Sequence, residues 1–224
     1  MAITRFPPPE SANPQGLLAI GGDLEISSLL LAYSQGIFPW PISPELPLAW
    51  FSPDPRGVLF YKDLIISKGL QKKIRKNDFK ISFNKNFREV IKCCSYVNRR
   101  ETWITPQMIE AYCHLFARGH AYSVEVCDQE NQLVGGLYGV CYGDFFSGES
   151  MFYRKSNASK TAIIKLMEYL KSRGIDWLDT QMVTPVVAGL GGREISRMEY
   201  LKLLKKAYFS KRGNIFNRSF SVSP

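Results

Sequence analysis

The sequence predicts an α+β fold in which helices pack on one twisted, mainly antiparallel sheet. Three observations lead there. The segments AYSVEVCD, QLVGGLYGVCYG and DFFSGESMFY follow one another across the short polar turns DQEN and YGD, as antiparallel strands do. Helical periodicity brackets them, in TPQMIEAYCHLFARGH before and SNASKTAIIKLMEYLKSRG after. A strand, GIDWLDTQMV, and a last helix, EISRMEYLKLLKKAYF, complete the order helix, three strands, helix, strand, helix.

Each element has a local reason. Residues 1–56 are rich in Pro, Gly and aromatics and hold one good helix, in GGDLEISSLLLAYSQGIFPW. Asp23 is its expected N-cap, Leu29, Leu30 and Tyr33 recur at helical spacing, and Gly36 with the later Pro39 ends it. The turn cluster SPDPRG marks a boundary, so a small N-terminal domain, 1–56, and a larger one, 57–224, are expected. Beyond it VLFY reads as a strand, a basic helix follows, KISFN is a strand and FREVIKCCSYV a helix. In the next helix Thr105 is the cap, Pro106 the first helical residue and Gly119 the stop. The GLGG at Gly189–Gly192 lacks the Lys-Ser/Thr of a phosphate loop and reads as a turn before the last helix.

Composition narrows the function classes. A chain of 224 residues, 45% hydrophobic, buries a substantial core. Its N-terminus carries Phe-Pro-Pro-Pro rather than an apolar leader, and runs such as GLLAI and SLLLAY are too short to span a bilayer, so a soluble, cytoplasmic protein is expected. Five cysteines without a Cys-x-x-Cys, and two histidines, argue against a zinc site; no metal is expected. The net charge of +9 is concentrated: Lys62 to Arg100 holds twelve Lys/Arg against three acids, and the remainder is neutral. Within that segment Lys68, Lys72, Arg75 and Lys76 share one helix face. Such a face is either a solvated helix surface or a patch that tracks the phosphates of a nucleic acid. A smaller basic run holds Lys202, Lys205, Lys206, Lys211, Arg212 and Arg218.

Few residues qualify for chemistry. In WLDTQM, strand alternation puts Asp179 and Gln181 on one face, where they either cap a neighbouring turn or face solvent, or form the polar floor of a reacting centre. Glu149 is a lone acid in an apolar strand, either paired with a lysine or part of a site. Trp40 and Trp103 stand in turn-like contexts, either as core residues or as surfaces on which a nucleobase stacks. There is no Gly-x-Ser-x-Gly elbow, which removes support for a serine hydrolase. The element order is similar to that of acetyltransferase-type N-acyltransferases. Their glycine-rich pyrophosphate loop is replaced here by the glycine-free YRKSNASK, which disfavours coenzyme A.

The strings GLLAIGGDL, GIFPW, WFSPDPRGVL, TWIT, GHAYSVEV, VGGLYGV, SGESMF, NASKTA and LDTQ occur in this order. They resemble the leucyl/phenylalanyl-tRNA–protein transferase family, from about Gly16 to the last helix. The resemblance implies a small N-terminal domain before an acetyltransferase-like one, and no organic cofactor. It implies transfer of Leu or Phe, and by extension Met, from aminoacyl-tRNA to proteins that begin with Arg or Lys, marking them for degradation. Carried over residue by residue, it places Asp179 and Gln181 at the reacting centre and Glu149 near the aminoacyl amino group. It places Leu137, Phe146, Ile163 and Leu166 in the amino-acid pocket, and Trp40, Trp103, Tyr33 and Tyr112 around the terminal adenosine and the rim. Lys72, Arg75 and Lys76 match a cluster that meets the tRNA acceptor stem. Where the family commonly has Asn, His and Ser after the LDTQ string, this chain has Thr184, Val186 and Gly189, so no role carries over there. A monomer is expected. The competing classes are a coenzyme A-dependent N-acyltransferase and a non-enzymatic RNA-binding module.

Overall fold

The computed structural model describes residues 2–43, 45–76, 78–97 and 102–208. Arg99, Arg100, Lys211, Arg212 and Arg218 of the basic runs lie outside them. Near the N-terminus β1 (Leu17–Ile20), β2 (Phe38–Pro39) and β3 (Ala49–Phe51) form a small antiparallel sheet in the order β1-β3-β2, with α1 (Ile26–Ser34) between the first two strands. Only the helix was expected here, because strands of 4, 2 and 3 residues are too short to show an alternation. Asp23 is not the N-cap of α1. The helix starts behind Glu25, and the Asp23 carboxylate accepts instead from Glu25 N–H at 3.0 Å and the Ser28 hydroxyl at 2.7 Å.

The main sheet has seven strands: β4 (Arg56–Phe60), β5 (Lys80–Phe83), β6 (Ala121–Cys127), β7 (Leu133–Tyr142), β8 (Phe145–Tyr153), β9 (Trp177–Gln181) and β10 (Arg193–Ile195). Their order is β10-β4-β9-β8-β7-β6-β5, and every pair is antiparallel except β8 with β9. The α+β class with a mainly antiparallel sheet is therefore the one observed. The remaining helices are α2 (Lys68–Arg75), α3 (Phe87–Tyr96), α4 (Pro106–Ala117), α5 (Ala158–Ser172), α6 (Pro185–Gly189) and α7 (Arg197–Tyr208). Among the described residues no helix is long and apolar enough to cross a membrane.

Local chemistry accounts for these elements. Thr105 caps α4 by accepting Met108 N–H at 3.2 Å, with Pro106 opening the helix, and Ser67 caps α2 by accepting Leu70 N–H at 3.3 Å. Successive residues of β7 show which helix covers which face. A Cβ on Gly135 would lie 2.5 Å from Ala158 of α5, and one on Gly136 would lie 3.5 Å from Val90 of α3. Because neighbouring strand residues point opposite ways, α5 and α3 cover opposite faces. With both faces covered, β6 is buried along nearly its whole length instead of alternating. GLGG is more than a turn: it runs from the end of α6 toward β10, which pairs with β4. Both elements are too short for periodicity to reveal them.

Two irregularities shape the site. In β8, Tyr138 pairs with Ser150 and Gly139 with Gly148, so Glu149 is the extra residue of a β-bulge. The parallel strands β8 and β9 are bridged at Ser147 and Asp179, and the residues C-terminal to that bridge on both strands line a cavity.

Candidate active site

The cavity, of about 270 Å³, lies between the open ends of β8 and β9. Leu137, Ile163, Leu166, Leu178 and Val187 supply apolar wall, Glu149, Thr180 and Gln181 a polar floor, and Trp40 and Trp103 the rim. A volume just below the ~300–1,000 Å³ of sites for drug-sized ligands suits one amino-acid side chain better than a large cofactor. The floor depends on the two irregularities. The bulge turns Glu149 and its neighbours Gly148, Ser150 and Met151 all to the cavity, which a regular strand does not allow. Gln181 ends β9 in the left-handed region, with φ +60°, and so joins Thr180 and Met182 in the lining.

Below the floor runs a chain of buried hydrogen bonds. Gln181 Nε2 donates to Glu149 Oε1 at 2.8 Å and to Ser147 Oγ at 3.4 Å. Tyr112 OH donates to Glu149 Oε2 at 3.2 Å, and Tyr112 and Tyr33 share a bond of 2.5 Å between their hydroxyls. Burial pushes the Glu149 carboxyl up from 4.5 to about 7, against hydrogen bonds from Tyr33 and Tyr112. The Asp179 charge adds to the rise and Arg56 opposes it. Burial, reinforced by the Glu149 charge, holds both phenols well above their ordinary value, so they stay protonated.

Asp179 sits deeper, fully buried, and does not line the cavity. Its carboxylate accepts from Arg56 Nε at 2.9 Å, Arg56 Nη2 at 2.7 Å, Ser147 Oγ at 3.0 Å, Tyr200 OH at 3.0 Å and Gln181 N–H at 2.9 Å. Arg56 is itself buried. Burial pulls its guanidinium down, but the Asp179 charge outweighs that and raises it above its ordinary value.

A second cavity, of about 760 Å³, adjoins the first and shares Trp40 and Trp103 with it. Phe51, Ile42, Thr102 and Thr105 also line it. The two indoles are 6.1 Å apart and tilted by 53°, and Trp40 meets Phe51 at 6.0 Å. The first cavity holds the buried carboxylate; the second offers broad aromatic surface.

Of the residues expected at the site, Leu137, Ile163, Leu166, Glu149, Gln181, Trp40 and Trp103 come together around the first cavity. Tyr33 and Tyr112 lie behind Glu149 rather than at the rim. Phe146 does not line the cavity. Its ring fills the space over Gly139 of β7, where a Cβ would lie 2.3 Å from it. Asp179 and Gln181 do not share a face, because the left-handed turn at Gln181 breaks the alternation. Lys72 and Arg75 on α2 and Lys76 at its C-cap stand exposed, outside the lining of either cavity. Thr184 caps α6 by accepting Val187 N–H at 3.3 Å. Sequence reasoning missed Arg56, Ser147 and Tyr200. The one signal was Arg56 itself, a charge separated from the apolar run VLF only by Gly57.

A family model described as leucyl/phenylalanyl-tRNA protein transferase matches residues 58–205, and a model of that family's N-terminal domain matches residues 22–54. The chain belongs to this family. A leucyl/phenylalanyl-tRNA–protein transferase of Flavobacterium johnsoniae is 51% identical over 203 residues, covering 89% of this chain and 95% of that protein. One from Pseudoalteromonas atlantica is 49% identical over 206 residues, covering 90% and 87%. Among solved structures, a GNAT-family acetyltransferase from Staphylococcus aureus overlaps 43% of this chain and 69% of its own, at 16% identity and a TM-score of 0.34.

Proposed function

We propose that the protein transfers leucine or phenylalanine, and by extension methionine, from aminoacyl-tRNA to the α-amino group of proteins that begin with Arg or Lys. The observation that carries this reading is the apolar cavity of about 270 Å³ with a buried Glu149–Gln181 pair on its floor. The amino-acid side chain enters the apolar wall and its α-ammonium meets Glu149, while the terminal adenosine lies against Trp40 and Trp103. The exposed cations Lys72, Arg75 and Lys76 meet the acceptor stem. On this reading the protein acts in the cytoplasm as a monomer, marks its products for degradation, and has residues 1–56 as a small N-terminal domain.

An aminoacyl ester is already activated, so amide formation needs no ATP. The acceptor amine attacks the ester carbonyl carbon, the C–N bond forms, and the bond from that carbon to the ribose oxygen breaks. The amine gives up one proton and the leaving ribose oxygen gains one. Gln181 commits both Nε2 protons to Glu149 and Ser147, which leaves its Oε1 to accept an N–H of the incoming amine. Glu149, pushed up to about 7, suits relaying that proton near neutral pH. Asp179 is occupied by five donors, which favours a holding role over that of a base.

Coenzyme A fits less well. Arg154, where α5 approaches its start, is engaged by Leu133 O and Tyr96 OH, and Lys155 by Asp128 at 2.7 Å. Radiolabelled Leu-tRNA mixed with the protein and a peptide beginning with Arg should yield labelled peptide, and acetyl-coenzyme A should give no heat of binding. An unlabelled peptide would sink the reading.

A further inference from the structure

Arg56 makes no contact with either cavity, yet it is 1% exposed and more heavily hydrogen-bonded than any wall residue of the site. Besides its fork on Asp179, Nη1 donates to Gly36 O at 3.1 Å and Nη2 to Tyr200 OH at 3.2 Å. Its guanidinium carbon lies 4.9 Å from the Phe38 ring centre and 4.3 Å from that of Tyr200. Buried ion pairs are often no more stabilising than apolar residues of the same size, so stability alone is a weak reason for this one.

We propose that Arg56, together with Tyr200, is a positioning residue for aminoacyl transfer, acting through Asp179 on Gln181; this rests on the reading of the cavity given above. Asp179 Oδ1 accepts both from Arg56 Nε and from Gln181 N–H, each at 2.9 Å. The second bond closes a local turn from a carboxylate to the N–H two residues on, which holds Gln181 at φ +60°. That turn brings the Gln181 side chain to Glu149. In an extended backbone it would follow Asp179 to the other face. Arg56 fixes the carboxylate with a planar fork that no other cationic side chain supplies. Through Gly36 O it also holds the end of α1, the helix that carries Tyr33. One guanidinium thus secures both ends of the chain Tyr33–Tyr112–Glu149–Gln181–Asp179.

The test is a double-mutant cycle. Arg56→Lys and Tyr200→Phe are each made in the wild-type and the Gln181→Ala backgrounds, and leucine transfer from Leu-tRNA to the Arg peptide is measured well below the melting temperature. Tyr200→Phe keeps the ring against Arg56 and Trp177 and removes only the hydroxyl, so it serves even if Arg56→Lys fails to fold. With Gln181 present, kcat is expected to fall ~10- to 100-fold at unchanged KM for Leu-tRNA, the order expected for a misplaced group. In the Gln181→Ala background the same substitutions should cost almost nothing further. Equal losses in both backgrounds, or wild-type kcat in the variants, would overturn the inference alone. A wild-type protein that moves no label would instead overturn the reading of the cavity, and this inference with it.

Discussion

Glu149→Gln offers a stability test of the site that requires no substrate. Folding raises the Glu149 carboxyl from 4.5 to about 7, chiefly through burial. At 1.36 kcal/mol per pKa unit, that rise is worth about 3 kcal/mol. The sign follows from which form burial disfavours. Below pH 4.5 the acid is neutral in both the folded and unfolded states and contributes nothing. Between pH 4.5 and about 7 the unfolded chain ionises first, so the wild type progressively loses stability, and above pH 7 the full cost is present. Glutamine is neutral throughout and has no such loss. Relative to the wild type, Glu149→Gln should therefore gain about 3 kcal/mol between pH 4.5 and pH 8. For a chain of this length that is a change in the melting-temperature difference of ~6–12 °C, read by thermal unfolding of both proteins across the pH series. Every other titration is shared by the two and cancels. A melting-temperature difference that stays constant from pH 4.5 to pH 8 would refute a buried, destabilised carboxylate at this position.

Three further outcomes are expected. The Thr180 hydroxyl oxygen is buried without a hydrogen-bond partner among the described residues, so Thr180→Val should raise stability by about 1 kcal/mol, measurable by urea denaturation. Replacing Lys72, Arg75 and Lys76 together by Ala should raise KM for Leu-tRNA and flatten the log–log salt dependence of binding by about 2–3, according to how many phosphates they meet. Because Leu137, Ile163 and Leu166 form a close apolar wall, leucyl-tRNA should be used at least ~10-fold more efficiently than isoleucyl-tRNA in side-by-side kcat/KM measurements.

The long elements were legible because their signals are local and repeated. Thr105 and Pro106 announced α4, and the polar turns between apolar runs announced β6 to β8. The short strands β1 to β3 and β10 were not, since two to four residues show no period and their pairing is a property of the fold. At the site, Glu149 and Gln181 stood out as polar residues in apolar strands. Their geometry was hidden, because a bulge and a left-handed residue each break the alternation from which a strand's faces are read. Phe146 was assigned to the pocket from resemblance, but its direction is decided by the missing Cβ of Gly139 on the next strand. Arg56 was read as part of a turn, and only tertiary structure brings it against Asp179, 123 residues away.

The central claim is that the Glu149–Gln181 floor and its apolar wall hold the aminoacyl group. The most direct measurement is a crystal structure with adenosine carrying leucine through a 3′-amide, a stable mimic of the tRNA terminus. The leucine side chain should lie between Leu137, Ile163 and Leu166, with its ammonium at Glu149 and the adenine against Trp40 and Trp103. A leucyl group bound outside this cavity, or an ammonium paired with any other acid, would contradict the account.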